Sequence, residues 1–376
     1  MSGTMDQLVG CTSTGPNVCN VTLSADTNVS LGFTRANVAF VTESTWPSNL
    51  GSVTAYDTVC RNIARDAGLF EDPADGGVWV AWLSQSDGGV LTRLRFADGG
   101  LPRGWIRPDG RVVASGDIVS AQLRAPLLMT ERQRLLDGGV VMTGTQGDGG
   151  ASGFDCMGWS VATGSRPTLG VPSRTDEGWT SGVTGFPTCG PSRLYCLEGN
   201  LRRSLVVPRR PTNSRLAFLS IASVAGTVSP AATDTICVDE ARDAGLLSQN
   251  FISLRSLTDA GTAAQRLSLD GGTWHRTDGM RAVLDPQAAF AGTQPLLAPI
   301  DRNARAAAVP GNQHTWTGAP FPASNAGPSC NGWGGAGAEG SGRVGGASDA
   351  FGWWTIASGL TNDVCADLNR FYCFEP

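Results

Sequence analysis

Asp57-Thr58-Val59-Cys60, continued by Ala64-Arg65-Asp66-Ala67-Gly68-Leu69, returns 177 residues later as Asp234-Thr235-Ile236-Cys237, continued by Ala241-Arg242-Asp243-Ala244-Gly245-Leu246. The repetition extends outward from there. Cys60, Cys156, Cys189 and Cys196 recur as Cys237, Cys330, Cys365 and Cys373, at offsets of 177, 174, 176 and 177. Cys156-Met157-Gly158-Trp159 returns as Cys330-Asn331-Gly332-Trp333, and Leu194-Tyr195-Cys196-Leu197-Glu198 as Phe371-Tyr372-Cys373-Phe374-Glu375. The chain of 376 residues therefore holds two copies of one domain, 36–207 and 212–376, joined at 208–211, each with its own pair of disulfides. Either copy is long enough to bury a core of its own.

Each copy opens on a short apolar strand, Val38-Ala39-Phe40-Val41 or Leu216-Ala217-Phe218-Leu219. A turn follows, and then a helix. Tyr56, Val59, Cys60, Ile63 and Ala67 fall on one helical stripe, and Gly68 and Gly245 sit where a left-handed C-cap would stop the helix. Val78-Trp79-Val80-Ala81-Trp82-Leu83, matched by Phe251-Ile252-Ser253-Leu254, reads as the next strand. Beyond it regular periodicity is sparse until the segments around Cys156 and Cys196. The fold class is α+β, with long loops between cysteines.

Ten cysteines with two histidines and no zinc-knuckle spacing favour disulfides over metal binding, which places the protein outside the reducing cytoplasm. The net charge of −5 argues against nucleic acid as a partner. Every basic side chain is arginine, which we read as codon bias. No apolar run is long enough to span a bilayer and the first residues are too polar for a signal peptide, so an export signal is expected outside this stretch. In residues 1–35, Cys11 and Cys19 are expected to close a small loop. Val21, Leu23, Val29, Leu31 and Phe33 alternate about Ala25–Asn28 as a hairpin would.

The order strand, helix with cysteine, strands, long irregular region with two inner cysteines, and closing strand with a fourth cysteine resembles the C-type lectin-like fold. More narrowly, Asp-Ala-Gly-Leu after the helix, Trp316-Thr317-Gly318 (Met142-Thr143-Gly144 in the first copy), Cys-x-Gly-Trp and the terminal Tyr-Cys-x-Glu resemble the endostatin-like domains of bacterial outer-surface proteins, over residues 36–376. The resemblance implies nested pairing: Cys60–Cys196, Cys156–Cys189, Cys237–Cys373 and Cys330–Cys365. The stretch from Gly10 to Asp26 is similar to the closing strands of small β-repeats in bacterial surface proteins, implying further domains upstream in a longer parent.

Candidate sites follow from chemistry and from that resemblance. His275 and His314 both lie in the second copy, without counterparts in the first, so no duplicated Ser/His/Asp or metal–histidine site exists; their ordinary reading is as surface or turn histidines. The glycine-rich run Gly332–Gly346 lacks the strand-to-helix context and lysine of a phosphate loop. Lectin-like sugar binders hold calcium with an acid-Pro-acid triplet and an aromatic-Asn-Asp triplet before the third cysteine. Here Asn362-Asp363 precedes Cys365 and makes a possible calcium site, but Gln294-Pro295-Leu296 matches the other triplet poorly, leaving too few oxygens for calcium. No cofactor is required. Trp159/Trp333 and Trp179/Trp354 occupy equivalent places and read as core, whereas Trp46 and Trp353 lack equivalents and read as exposed stacking platforms. Arg202-Arg203 and Arg209-Arg210 make a basic patch at the junction, either a solvated linker or a site for acidic polysaccharide. The sequence reading is a non-enzymatic, extracellular or surface-displayed bacterial adhesion module that binds a glycan or matrix-type protein. The alternatives are a structural domain of a surface filament and, third, a hydrolase.

Overall fold

The computed structural model describes residues 3–5, 12–15, 18–20 and 33–376, except 70–77, 120–121, 184–187, 208–210, 212–213, 249, 258–260, 270–271, 311–313, 325–326, 335–339 and 356–361. At the N-terminus, β1 (Gly3–Met5) pairs antiparallel with β4 (Phe33–Arg35), and β2 (Thr12–Gly15) with β3 (Val18–Asn20). Cys11 and the turn residues of the expected 21–33 hairpin lie outside the described residues. The chain divides into unit 1, Met1–Pro172 with Glu177–Val206, and unit 2, Ser173–Asp176 with Val207–Pro376.

Unit 1 is built on a five-stranded sheet. β5 (Asn37–Val41) leads into α1 (Val53–Asp66), then β6 (Trp79–Ala81), the short α2 (Leu91–Leu94), β7 (Trp105–Ile106), β8 (Val112–Ala114) and β9 (Val141–Met142). The single turns α3 (Cys156–Trp159) and α4 (Gly178–Ser181) flank β10 (Leu169–Gly170), and β11 (Tyr195–Glu198) ends the unit. The sheet order is β6-β11-β5-β7-β8, so the last strand lies between the first two, antiparallel to both. Ser52 caps α1 through a side-chain bond to the Ala55 amide, and Gly68 ends it with φ +68°. Tyr56, Cys60 and Ala64 form its buried stripe, while Val59, Ile63 and Ala67 are half-buried, a shift of the predicted stripe toward the i, i+4, i+8 row.

Unit 2 repeats the plan. β12 (Arg215–Leu219), β13 (Val224–Ala225), α5 (Pro230–Asp243), β14 (Ile252–Ser253), a 3-10 turn at Ala263–Arg266, β15 (Trp274–Arg276) and α6 (Pro286–Phe290) come first. β16 (His314–Trp316), α7 (Cys330–Trp333), β17 (Ser341–Gly346), β18 (Asn362–Val364), β19 (Leu368–Asn369) and β20 (Tyr372–Phe374) follow. Its main sheet, β14-β20-β12-β15, again inserts the last strand beside the first; a second sheet runs β16-β17-β18. The molecule is thus α+β with small sheets and four disulfides among the described residues: Cys60–Cys196, Cys156–Cys189, Cys237–Cys373 and Cys330–Cys365, with Cα separations of 5.4–5.9 Å.

Several short motifs acquire a reason in the packing. Gly144 and Gly318, the last residues of the two x-Thr-Gly segments, have φ +57° and +78°, and a Cβ there would lie 2.8 Å from the indole of Trp159 or 2.7 Å from that of Trp333. Only glycine lets the backbone pass so close to the ring. A second duplicated motif escaped the sequence reading. Trp105-Ile106-Arg107-Pro108-Asp109-Gly110 and Trp274-His275-Arg276-Thr277-Asp278-Gly279 bury their arginines completely. Arg107 Nη2 and Nε reach the two carboxylate oxygens of Asp109 at 2.7 and 3.0 Å, and Arg276 does the same with Asp278 at the same distances. The third donor group closes a loop carbonyl, Pro126 O at 3.0 Å or Pro299 O at 2.8 Å. Arg276 has a further partner, Asp301, at 2.7 Å.

Burial alone would raise the Asp109 carboxyl, but the charges and hydrogen bonds of Arg107 and Arg111 overcome it and hold it below its usual range. Because the folded value is below the unfolded one, the pair's stabilisation is present above the ordinary carboxylate range and lost as pH falls through the folded value. Asp109→Asn leaves the buried Arg107 without its counter-charge and is expected to cost about 3 kcal/mol at neutral pH, with the gap to wild type narrowing in acid. Urea titrations at pH 7 and pH 3 measure both, and an unchanged gap would refute the assignment.

Candidate recognition surface

The inner disulfide of each unit begins a turn of unusual handedness. Cys156, Met157, Gly158 and Trp159 have φ of 52, 54, 68 and 60°, and Cys330, Asn331, Gly332 and Trp333 have 51, 57, 79 and 58°. Four consecutive residues in the left-handed region, three of them not glycine, make one turn of left-handed helix. Each such residue costs about 1–2 kcal/mol, so the turn persists only where its surroundings determine it more than once.

Three anchors do so in unit 1. Cys156 is tied to Cys189. Asp155, itself buried, accepts the Gly158 amide on one oxygen at 3.0 Å and the Ser86 amide on the other at 2.7 Å. Trp159 is buried, donates its indole N–H to Ser84 O at 3.0 Å and packs on Tyr56. In unit 2 the bond to Cys365 and the buried Trp333, which donates to Ser256 O at 2.7 Å, perform the same functions. The second residue of the turn is left pointing outward. Met157 is 70 % exposed, and Phe154, just before the turn, is 52 % exposed; Asn331 holds the exposed place in unit 2. Two large apolar side chains thus stand exposed on a strained, pinned loop, where no core covers them.

Other expected site residues are placed differently. Trp353 is not an exposed platform: it is 3 % exposed and packs against Phe290, Trp354 and Tyr372. It is also the true counterpart of Trp179. The Tyr195 hydroxyl donates to Trp179 O at 2.9 Å and that of Tyr372 to Trp353 O at 2.6 Å, so the pairing of Trp179 with Trp354 is out by one residue. Trp46 is half-buried, bridged through its backbone to Ser192. His275 is buried in β15 rather than on the surface. Arg202 is engaged by Asp98 at 2.5 and 2.6 Å and lies 3.9 Å from the Phe96 ring centre, which matches its charge locally. Arg203 is exposed, and Arg209 and Arg210 lie outside the described residues.

Asn362 and Asp363 sit in β18, where neighbouring side chains face opposite ways. Asn362 is exposed; Asp363 is turned inward, where one carboxylate oxygen meets His314 Nδ1 at 2.7 Å and accepts the Asn369 side-chain amide at 2.8 Å. That oxygen is taken up by nitrogen groups. Among the described residues no three His, Cys, Asp or Glu side chains gather where a metal ion could be held. A shallow apolar depression in unit 1, lined by Leu91, Leu94, Trp105 and Ile118 among others, has room for about one water. No protein-family profile matches the chain, and no curated protein matches it.

Replacing Met157 by glycine removes a left-handed penalty of about 1–2 kcal/mol and adds part of it back through the freer unfolded chain. Met157→Gly is expected to stabilise by about 0.5–1 kcal/mol, whereas Trp159→Ala, which deletes an anchor, should destabilise by about 3–5 kcal/mol. Denaturant midpoints of the two variants, moving in opposite directions, check the role given to each residue.

Proposed function

We propose that the chain is an extracellular recognition module of tandem lectin-like, endostatin-like units, binding a glycan or a matrix-type protein through its pinned loops and without calcium. The observation that carries this reading is the exposed Met157 on a left-handed turn fixed by a disulfide, a buried indole and a buried carboxylate. A display residue on such a frame meets its ligand with little ordering cost, which is where affinity is otherwise lost. Four disulfides, and no helix among the described residues long and apolar enough to cross a membrane, are compatible with an extracellular setting. The calcium-free form is preferred because one Asp363 carboxylate oxygen is taken up by His314 and Asn369 and Gln294-Pro295-Leu296 offers no carboxylate to complete a calcium shell.

Exposed apolar tips also suit contacts between copies, which supports a second reading as a structural domain of a surface filament. A glycan array and a panel of extracellular-matrix proteins, each probed in calcium and in EDTA, decide between them. Binding is expected to survive EDTA and to weaken about tenfold in Phe154→Ser and Met157→Gly, a loss of roughly 1.4 kcal/mol. Binding abolished by EDTA would restore the calcium site. Absence of any ligand, with sedimentation showing concentration-dependent assembly that the same substitutions suppress, would favour the filament.

A further inference from the structure

The left-handed turn of unit 2 contains the one Asn-Gly pair in the chain, Asn331-Gly332. Asparagine is a chemically labile residue, most so before glycine, which has no Cβ to hinder the approach of its own nitrogen to the asparagine side chain. The reaction runs within the backbone. The Gly332 nitrogen gives its proton to solvent base and attacks the Asn331 side-chain carbonyl carbon; a five-membered imide closes, and the side-chain nitrogen leaves as ammonia. Water then opens the imide at either carbonyl, giving aspartate or isoaspartate. Asn331 is exposed, so solvent reaches the reacting carbon. On sequence and accessibility alone, this pair would convert.

The turn holds the two reacting groups apart. Ring closure needs the Gly332 nitrogen eclipsed with Asn331 Cβ about the Cα–C bond, which is a strongly negative ψ. Asn331 has φ 57° and ψ 41°, so the nitrogen stands nearly opposite Cβ. Swinging ψ round while φ stays positive leads into backbone conformations closed to a residue with a Cβ, so φ must change as well and the left-handed turn must be given up. The nucleophile is also tied: the Gly332 amide donates to Ser329 O at 3.0 Å, and that N–H has to be freed before its proton can leave. Both neighbours of the pair are fixed, Cys330 by its bond to Cys365 and Trp333 by burial and its indole bond to Ser256 O. Rotation within the pair therefore displaces one anchor or the other.

We propose that Asn331 is a latent modification site, closed to deamidation while the anchored turn holds and open once the turn is lost. The product carries an added negative charge at the exposed place of the turn, and its isoaspartate form also lengthens the backbone by one carbon between Cys330 and Trp333, changing the spacing of the two anchors. Because ammonia is lost, the change is not undone when the chain refolds. A chain that has opened this turn for long enough is thus marked covalently. Met157 occupies the equivalent place in unit 1, whose turn has no such site. The proposal does not depend on the recognition reading above.

The test incubates the full chain in mildly alkaline buffer, folded in one arm and reduced and denatured in the other, and follows the aspartate and isoaspartate forms of the peptide holding Asn331 by mass spectrometry. The folded chain is expected to convert more slowly by a factor of about ten or more, each tenfold corresponding to about 1.4 kcal/mol of opening free energy. A folded chain that converts as fast as the denatured one overturns the proposal. A double variant, Cys330→Ser with Cys365→Ser, then locates the lock: with one anchor gone and the fold retained, conversion at Asn331 is expected to rise from the wild-type rate toward the denatured one. Should that variant not fold, Trp333→Phe, which keeps a ring in place and removes the bond to Ser256, takes its part in the comparison. A folded variant that converts no faster than wild type shows that the anchored turn is not what protects the pair, and overturns the proposal equally.

Discussion

A covalent bond between the first helix and the last strand is the constraint on which each unit depends. Cys60 in α1 meets Cys196 in β11, and Cys237 in α5 meets Cys373 in β20, each closing 136 residues of chain. On the chain-entropy account such a link stabilises by roughly 4–5 kcal/mol. Its position matters as much as its size. The last strand is the one inserted between the first and second strands of the sheet, so the bond fixes the register of the sheet's centre and the seating of the helix together. Everything between can then be irregular without loosening the core.

What fills that interval is held by polar devices more than by regular structure. The completely buried Arg107 and Arg276, each forked onto an aspartate two residues on and each closing a distant proline carbonyl, tie loop to loop where no ladder of hydrogen bonds does. Replacing such pairs by apolar side chains would not reproduce the geometry, because it is the fork that sets the turn.

The parts of this design that repeat in sequence were legible. The apolar strands, the helix ending at Gly68 and Gly245, and the pairing of eight cysteines implied by the lectin-like resemblance all appear among the described residues. Trp353 was misread because neighbouring tryptophans allow two alignments, and only the hydroxyls of Tyr195 and Tyr372 choose between them. The buried forks stand in the sequence as Trp-x-Arg-x-Asp-Gly, but arginine and aspartate at a turn ordinarily signal solvent, so the motif does not announce its burial. The handedness of Cys-x-Gly-Trp has almost no signature in the sequence. Only its glycine hints at positive φ, and cysteine, methionine and tryptophan would all be expected elsewhere.

The left-handed turns have a consequence for resistance to proteolysis. Proteases grip their substrates as extended strands, and an exposed methionine beside an exposed phenylalanine on a loop would ordinarily invite cleavage. Here, drawing Met157 into an extended conformation requires breaking away from Asp155, extracting Trp159 from beneath the chain and straining against Cys189. The tip can therefore offer a large apolar side chain to the surroundings while denying its backbone to hydrolysis, a combination that a loop of ordinary handedness and looser anchoring does not provide.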